Sequence, residues 1–520
     1  MRDSSGGQIF GWKQAGDRRD PAARGERMAK RAAMVILYVL FAVVGLLCFI
    51  ARPVIDWAKE NFGVSIQEVL FTIKSPMKGA DTGFLSGAVL AARENGILFL
   101  AIFLMAVALD IYLFGRMRIC IKVRFRKWHF INARPVCYLA VAAVAVWALA
   151  SDYQYLDSVL GISEYLEARA ERTEIYEKYY VDPLETQIVP QGKTKNLIYI
   201  YMESMETTYA SEQDGGYQVV NYIPGLTGIA RENISFSDGS GLGGWHVTSG
   251  NGWTMGSLFS TTSGIPFSFP ANGNEMDRRS SFAAGVTNLG DILEGQGYVQ
   301  EFLCGSDGNF AGRADYFQQH GNYEVFDYYK AIEEGYIAED YKVWWGFEDS
   351  ILYEIAKDEL LSLASGDAPF NFTMLTVDTH HVDGYVCSLC KDDYPEQLAN
   401  VLACADSQVC SFVEWCKEQD FFEDTVIVIS GDHPRMDSSL VSNVSGYDRT
   451  VYNAFINADA GLLDEARLQD REFSAMDMFP TVLGAMGFRI EGDRLGLGTN
   501  LFSGRDTLME ELGGLWKSER

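Results

Sequence analysis

NLIYIYME, residues 196–203, is an apolar run that closes on a carboxylate. Apolar side chains follow one another in it without alternation, so both faces of a strand built from it must be buried, as in the interior of a parallel sheet. Three further runs share this form: residues 300–305 (QEFLCG), 370–378 (FNFTMLTVD) and 425–432 (TVIVISGD), with helical patterns between them. The predicted fold class is α/β, a mostly parallel central sheet flanked by helices on both faces. In such sheets the polar residues beyond the carboxyl ends of the strands line the site. Here those residues are Glu203, Asp378 with His380, and Asp432 with His433.

Upstream of this region the chain changes character. Residues 33–51 (AMVILYVLFAVVGLLCFIA), 96–115 (GILFLAIFLMAVALDIYLFG) and 135–150 (PVCYLAVAAVAVWALA) approach or reach the ~20 residues that cross a bilayer. A cleaved signal peptide does not fit the first run, which starts far from the N-terminus and is followed by further spans. Arg18, Arg19, Arg24, Arg27, Lys30 and Arg31 precede the first run, and Arg116, Arg118, Lys122, Arg124, Arg126, Lys127 and Arg134 fill the loop between the second and third. The positive-inside rule puts both segments in the cytoplasm and everything after about Ser151 outside. Asp110, inside the second run, is costly against lipid and is expected to face another helix or the interface. Three parts result: residues 1–151 with the spans, a linker-helix region over 152–193, and an extracytoplasmic catalytic domain over 194–520 at the inner or plasma membrane.

The 520 residues carry a formal net charge of −27, but the first third is basic and the rest strongly acidic. That distribution excludes nucleic acid as a partner of the outer domain, because a phosphate backbone calls for clustered Lys and Arg. A phosphate substrate in such a field needs a local metal ion. Cys304, Cys387, Cys390, Cys404, Cys410 and Cys416 all fall in the outer domain, where disulfides persist, and one or two disulfides are expected. Cys387-x-x-Cys390 has the form of half a zinc site, but no second CxxC or His pair follows at suitable spacing.

Glu203, Thr254 in the Gly-rich stretch GNGWTMGSLFSTTSGIP, Asp432 and His433 together offer two carboxylates, an imidazole and a hydroxyl. This donor set suits a borderline-to-hard divalent ion such as Mn, Mg or Zn. A threonine hydroxyl is a poor nucleophile at neutral pH, and coordination to such an ion stabilises its alkoxide and faces it toward phosphorus. A threonine in a Gly-rich turn also serves as a helix N-cap. The two roles are compatible, because a helix N-terminus favours an anionic phosphate.

The ordered series KNLIYIYMES, GWTMGSLFSTTSGIPF, TVDTHHVDGY, VISGDHPRMD, SAMDMFPTVLGAMGF and LGLGTNLFS resembles the phosphoglycerol transferases and lipoteichoic acid synthases of the sulfatase and alkaline phosphatase superfamily, most of all the phosphoglycerol transferase I type. The resemblance implies metal ligands Glu203, Thr254, Asp432 and His433, with Thr254 also the nucleophile and manganese the preferred ion. It implies substrate contacts from His380 in DTHH, Arg313 in NFAGR and Asp307 nearby. The implied partners are a phosphatidylglycerol-type lipid donor and a glycan or glycolipid acceptor. Ala311 stands where the polymerising synthases carry tryptophan, and three spans replace their usual five; both departures favour single-unit transfer. The rival expectations are a phosphoethanolamine transferase, a sulfatase, which needs a Cys- or Ser-derived formylglycine where Thr254 stands, and a membrane-tethered binding protein without catalysis.

Overall fold

The computed structural model describes residues 21–62, 66, 69–70, 85–114, 118–121, 129–170, 174–193, 195–239, 241–267, 282–437, 439–442, 444, 446–459 and 467–513. Among the basic flanking residues, Arg18, Arg19, Arg116, Lys122, Arg124, Arg126 and Lys127 lie outside this set. The chain divides into two compact units, Met1–Ile55 with Gly87–Tyr155, and Asp56–Ser86 with Leu156–Arg520.

The first unit contains most of three long helices, α1 (Pro21–Phe62), α2 (Leu85–Leu109) and α3 (Ala133–Leu160). Stretches Met28–Lys59, Gly87–Tyr112 and Arg134–Leu160 are long and apolar enough to cross a membrane. Large apolar side chains such as Ile36, Leu139 and Trp147 are exposed on them, a surface suited to lipid and costly in water. Each helix outruns its apolar sequence run, because an established helix continues into polar residues such as SDYQYLDSVL at little cost. Asp110 is buried against the other two helices. Its carboxylate accepts hydrogen bonds from Tyr38 of α1 and Tyr138 of α3, and it pairs with Arg134 at 2.9 Å. An intramembrane carboxylate satisfied in this way ties three helices together without facing lipid.

The second unit is built on a seven-stranded sheet. Its strands are β1 (Asn196–Met202), β2 (Gly244–His246), β3 (Val299–Cys304), β4 (Glu324–Phe326), β5 (Phe370–Leu375), β6 (Thr425–Gly431) and β7 (Thr450–Ile456), in the order β2-β7-β6-β1-β5-β3-β4. Strands β6, β1, β5, β3 and β4 are parallel, and β7 and β2 extend the sheet antiparallel. Along β1 the side chains alternate between two buried layers. Leu197, Tyr199 and Tyr201 enter one core with Val426 and Val428; Ile198, Ile200 and Met202 enter the other with Ile427 and Ile429. Burial on both faces is why these strands read as continuous apolar runs.

The predicted strands reach one to three residues further than the observed ones at their carboxyl ends. The polar residues there leave the sheet and turn toward the site. The close pairing of β1 with β6, Met202 opposite Gly431, brings Glu203 and Asp432 side by side. Gly431 is required by this approach, since a Cβ on it would lie 1.9 Å from the Met205 carbonyl oxygen.

Candidate active site

Beyond the ends of β1 and β6, one ligand atom each from Glu203, Asp432 and His433 lie within 4.8 Å of one another, all buried. His433 Nε2 stands 3.5 Å from Glu203 Oε1 and 3.4 Å from Asp432 Oδ2. The opposite ring nitrogen, Nδ1, is 2.8 Å from the Pro434 carbonyl, which can only accept. That bond puts the proton on Nδ1 and leaves the Nε2 lone pair facing the carboxylates, the tautomer a metal-binding imidazole needs. Asp432 Oδ1 is held by the backbone N–H groups of Ser204 (2.7 Å) and His433 (2.8 Å), while Oδ2 is buried with no hydrogen-bond donor. Burial, and then the charge of Glu203, push the Asp432 carboxyl up to about 8. A buried lone pair with no donor, beside a second carboxylate and an outward-facing imidazole nitrogen, fits a divalent cation, whose charge offsets both carboxylates.

Thr254 begins helix α4 (Thr254–Ser263). Trp253 takes the N-cap position, so the Thr254 hydroxyl is not spent on capping. Its Oγ1 lies 3.4 Å from Glu203 Oε2 and 3.4 Å from His433 Nε2. The Gly-rich approach is needed for packing, since a Cβ on Gly256 would meet the Gly250 carbonyl oxygen at 2.4 Å.

A cleft of about 40 Å³ opens beside this cluster, lined among others by Glu203, Thr254, Ser306, Arg313, Trp345 and His380. It has room for little more than one or two waters. Arg313 opens helix α5 (Arg313–Gln319) and is 6% exposed, with Nη2 donating to Ser306 Oγ (2.9 Å) and the Asp307 carbonyl (3.0 Å) and Nε to the Phe310 carbonyl (3.1 Å). His380 Nδ1 donates to the His381 carbonyl at 2.7 Å, and burial, then the neighbouring imidazole of His433 and the Arg435 guanidinium, hold it below the usual histidine range against the pull of Glu203. His381 stacks on it with centroids 4.2 Å apart. Asp307 is not among the residues lining the cleft. Its Oδ1 instead accepts from the Asn309 backbone and side-chain amides at 2.9 and 3.0 Å, closing the turn that carries Arg313.

Several supporting residues escaped the sequence reading. Thr376 Oγ1 accepts from the Glu203 N–H at 3.0 Å, and Thr379 Oγ1 donates to the Glu203 carbonyl at 2.5 Å. Arg435, paired with Asp437 at 2.6 Å, donates to the Thr379 carbonyl at 2.9 Å. Asp349, at the start of helix α6 (Asp349–Ala364), accepts from the Val377 and Asp378 N–H groups, and Asp378 accepts in return from the Asp349 N–H. Polar residues just past strand ends were the only sequence signal for these partners.

Cys304, Cys387, Cys390, Cys404, Cys410 and Cys416 are free thiols, where the sequence favoured one or two disulfides.

A mostly parallel α/β sheet with carboxylates, an imidazole and a helix-borne hydroxyl gathered at its carboxyl edge defines an α/β protein with a candidate metal centre and a candidate nucleophile. The sulfatase family model matches residues 195–488, more than half of the chain, and the protein belongs to the sulfatase family. Phosphoglycerol transferase I of Salmonella choleraesuis (strain SC-B67) is 31% identical over 337 residues, 63% of this chain and 41% of that protein. The chain thus spans less than half the length of the curated relatives it matches. Among solved structures, lipooligosaccharide phosphoethanolamine transferase A (EptA) of Neisseria meningitidis is 16% identical, with a TM-score of 0.49 over 86% of this chain and 84% of that one. The lipoteichoic acid synthase LtaP of Listeria monocytogenes is 16% identical, with a TM-score of 0.48 over 61% of this chain and 79% of that one.

Proposed function

We propose that this protein transfers a phosphoglycerol head group from a phosphatidylglycerol-type lipid to a cell-envelope glycan or glycolipid by way of a phosphothreonine at Thr254. The observation that carries the proposal is the Thr254 hydroxyl, unused by the helix cap, 3.4 Å from both Glu203 and His433 at the mouth of the Arg313 and His380 cleft. The naming of its curated relatives supports the choice of phosphoglycerol.

A divalent ion would be held by Glu203, Asp432, His433 and Thr254, with manganese preferred over magnesium or zinc, and would supply positive charge that lowers the cost of ionising the Thr254 hydroxyl. Thr254 Oγ then bonds to phosphorus as the bond to the diacylglycerol oxygen breaks, and the acceptor hydroxyl later displaces Thr254 in a second in-line step. The N-terminus of α4 adds its dipole to the phosphoryl group. Arg313 positions the phosphate oxygens with a guanidinium already locked by its three hydrogen bonds. His380, neutral and with Nδ1 engaged, offers Nε2 to a head-group hydroxyl; Asp307 acts by holding Arg313. The cleft has no room for the acyl chains, which remain outside it. On this reading the domain lies on the extracytoplasmic side of the inner or plasma membrane, the side that the basic flanks of the spans favour.

Phosphoethanolamine transfer shares this chemistry and is separated by donor. The test offers fluorescent phosphatidylglycerol and phosphatidylethanolamine with manganese to the full-length protein and to Thr254→Ala. Release of diacylglycerol from phosphatidylglycerol alone, lost in the variant, is expected. Wild-type turnover by Thr254→Ala overturns the nucleophile, and turnover of phosphatidylethanolamine alone overturns the substrate.

A further inference from the structure

A second cluster of ligand atoms includes none of the residues that line the candidate active-site cleft. Cys387, Cys390 and Cys404 bring their sulfurs within 4.8 Å of one another. Cys387 Sγ is 3.7 Å from Cys390 Sγ and 3.7 Å from Cys404 Sγ. A turn closed by the Cys390 N–H on the Cys387 carbonyl (3.2 Å) sets the first two sulfurs on one side of the loop. The third comes from helix α7 (Gln397–Lys417). Cys387 and Cys404 are buried at 5% and 7% exposure.

The spacing is informative. Thiolates bound tetrahedrally to zinc at about 2.3 Å lie about 3.8 Å apart along each edge, so the two 3.7 Å separations match the edges of such a site. Carboxylates and imidazoles are not part of the cluster, and an all-sulfur set selects a soft or borderline ion. The Gln408 side-chain nitrogen lies 3.4 Å from Cys404 Sγ and 3.9 Å from Cys387 Sγ, an N–H donor of the kind that stabilises metal-bound thiolates. A cavity of about 390 Å³ lined by Cys404, Gln408 and Lys391 lies against the cluster.

We propose that Cys387, Cys390 and Cys404 form a thiolate site for zinc or a similarly soft divalent ion. The site clamps the loop that carries His380 onto α7. The same loop is also held by Gln397 Nε2 donating to the Gly384 carbonyl at 2.8 Å and by the Gly384 N–H on the His380 carbonyl at 3.1 Å, so the clamp completes a tether that begins at the cleft. The assignment stands independently of the transfer reaction.

The test uses full-length protein in detergent, purified without reductant, stripped of metal and titrated with cobalt(II). A near-ultraviolet sulfur-to-cobalt charge-transfer band is expected that rises to the intensity of one thiolate-bound cobalt per protein and is displaced by zinc. The Glu203 centre has no sulfur and cannot produce that band, and Thr254→Ala retains it, so loss of the proposed activity and loss of the clamp read separately. Cys390→Ser abolishes the band; Cys410→Ser, on the same helix outside the cluster, keeps it. Alkylation of the wild type without reduction, followed by peptide mapping, needs no variant and is expected to find all three thiols free and protected by zinc. A disulfide between any two of them, absence of the band, or a band that survives Cys390→Ser overturns the proposal.

Discussion

Replacing Arg313 by alanine tests whether the cleft is a phosphate site. The guanidinium carries five N–H donors, of which Nε and Nη2 are engaged with Ser306, Asp307 and Phe310, leaving Nη1 for a substrate oxygen. A hydrogen bond from a charged donor contributes about 1.5–3 kcal/mol. At roughly 1.4 kcal/mol per factor of ten, Arg313→Ala lowers kcat/KM about 10- to 150-fold. The substitution also strips a donor from Ser306 and two turn carbonyls, which costs about 1–3 kcal/mol of stability, so melting must be followed alongside activity. Arg313→Lys keeps a charge without the fork and falls in the same range. The assay is diacylglycerol release at saturating manganese, with bound metal measured in parallel. Metal content stays at the wild-type level if Arg313 acts on phosphate. Wild-type kcat/KM in a folded Arg313→Ala protein, or loss of the metal along with activity, refutes the reasoning.

Other consequences are equally concrete. Glu301, on β3 and 4% exposed, has its carboxyl pushed up to about 8 by burial and then by Glu359. Since an unfolded glutamate titrates near 4.3, the stabilising neutral form is fully in place below that pH and its contribution is lost as pH rises toward 8. Glu301→Gln is expected to flatten the fall in melting temperature between pH 5 and pH 8, and an unchanged slope contradicts this. Gly431→Ala puts a methyl 1.9 Å from a carbonyl oxygen at the joint between Glu203 and Asp432. It is expected to cost at least about 1–3 kcal/mol in denaturant titrations, and wild-type stability would show that the strands part freely. Single cysteines placed near residue 300 in a cysteine-free background should react with membrane-impermeant maleimide in intact cells; protection until lysis reverses the topology.

The parts of the fold open to sequence reading were those with local causes. The strands from 196, 370 and 425 announce themselves because both faces are buried, and Glu203, Asp432 and His433 because polar residues cannot stay inside such runs. The antiparallel additions β2 and β7 gave no such signal, since a three-residue strand like Gly244–His246 is set by its neighbour. Asp110 was recognisable as a buried charge, but its partners Tyr38 and Arg134 were not, because they come from other helices. Thr376, Thr379 and Arg435 support Glu203 across sequence separations that no local pattern encodes. Cys404 went unmatched to the CxxC for the same reason, the helix and not the spacing bringing it there.

The central claim is tested most directly by intact-protein mass spectrometry after brief incubation with phosphatidylglycerol and manganese. The account predicts one phosphoglycerol adduct, mapped by fragmentation to Thr254 and absent from Thr254→Ala. An adduct on any other side chain, or turnover by the alanine variant at the wild-type rate, contradicts it.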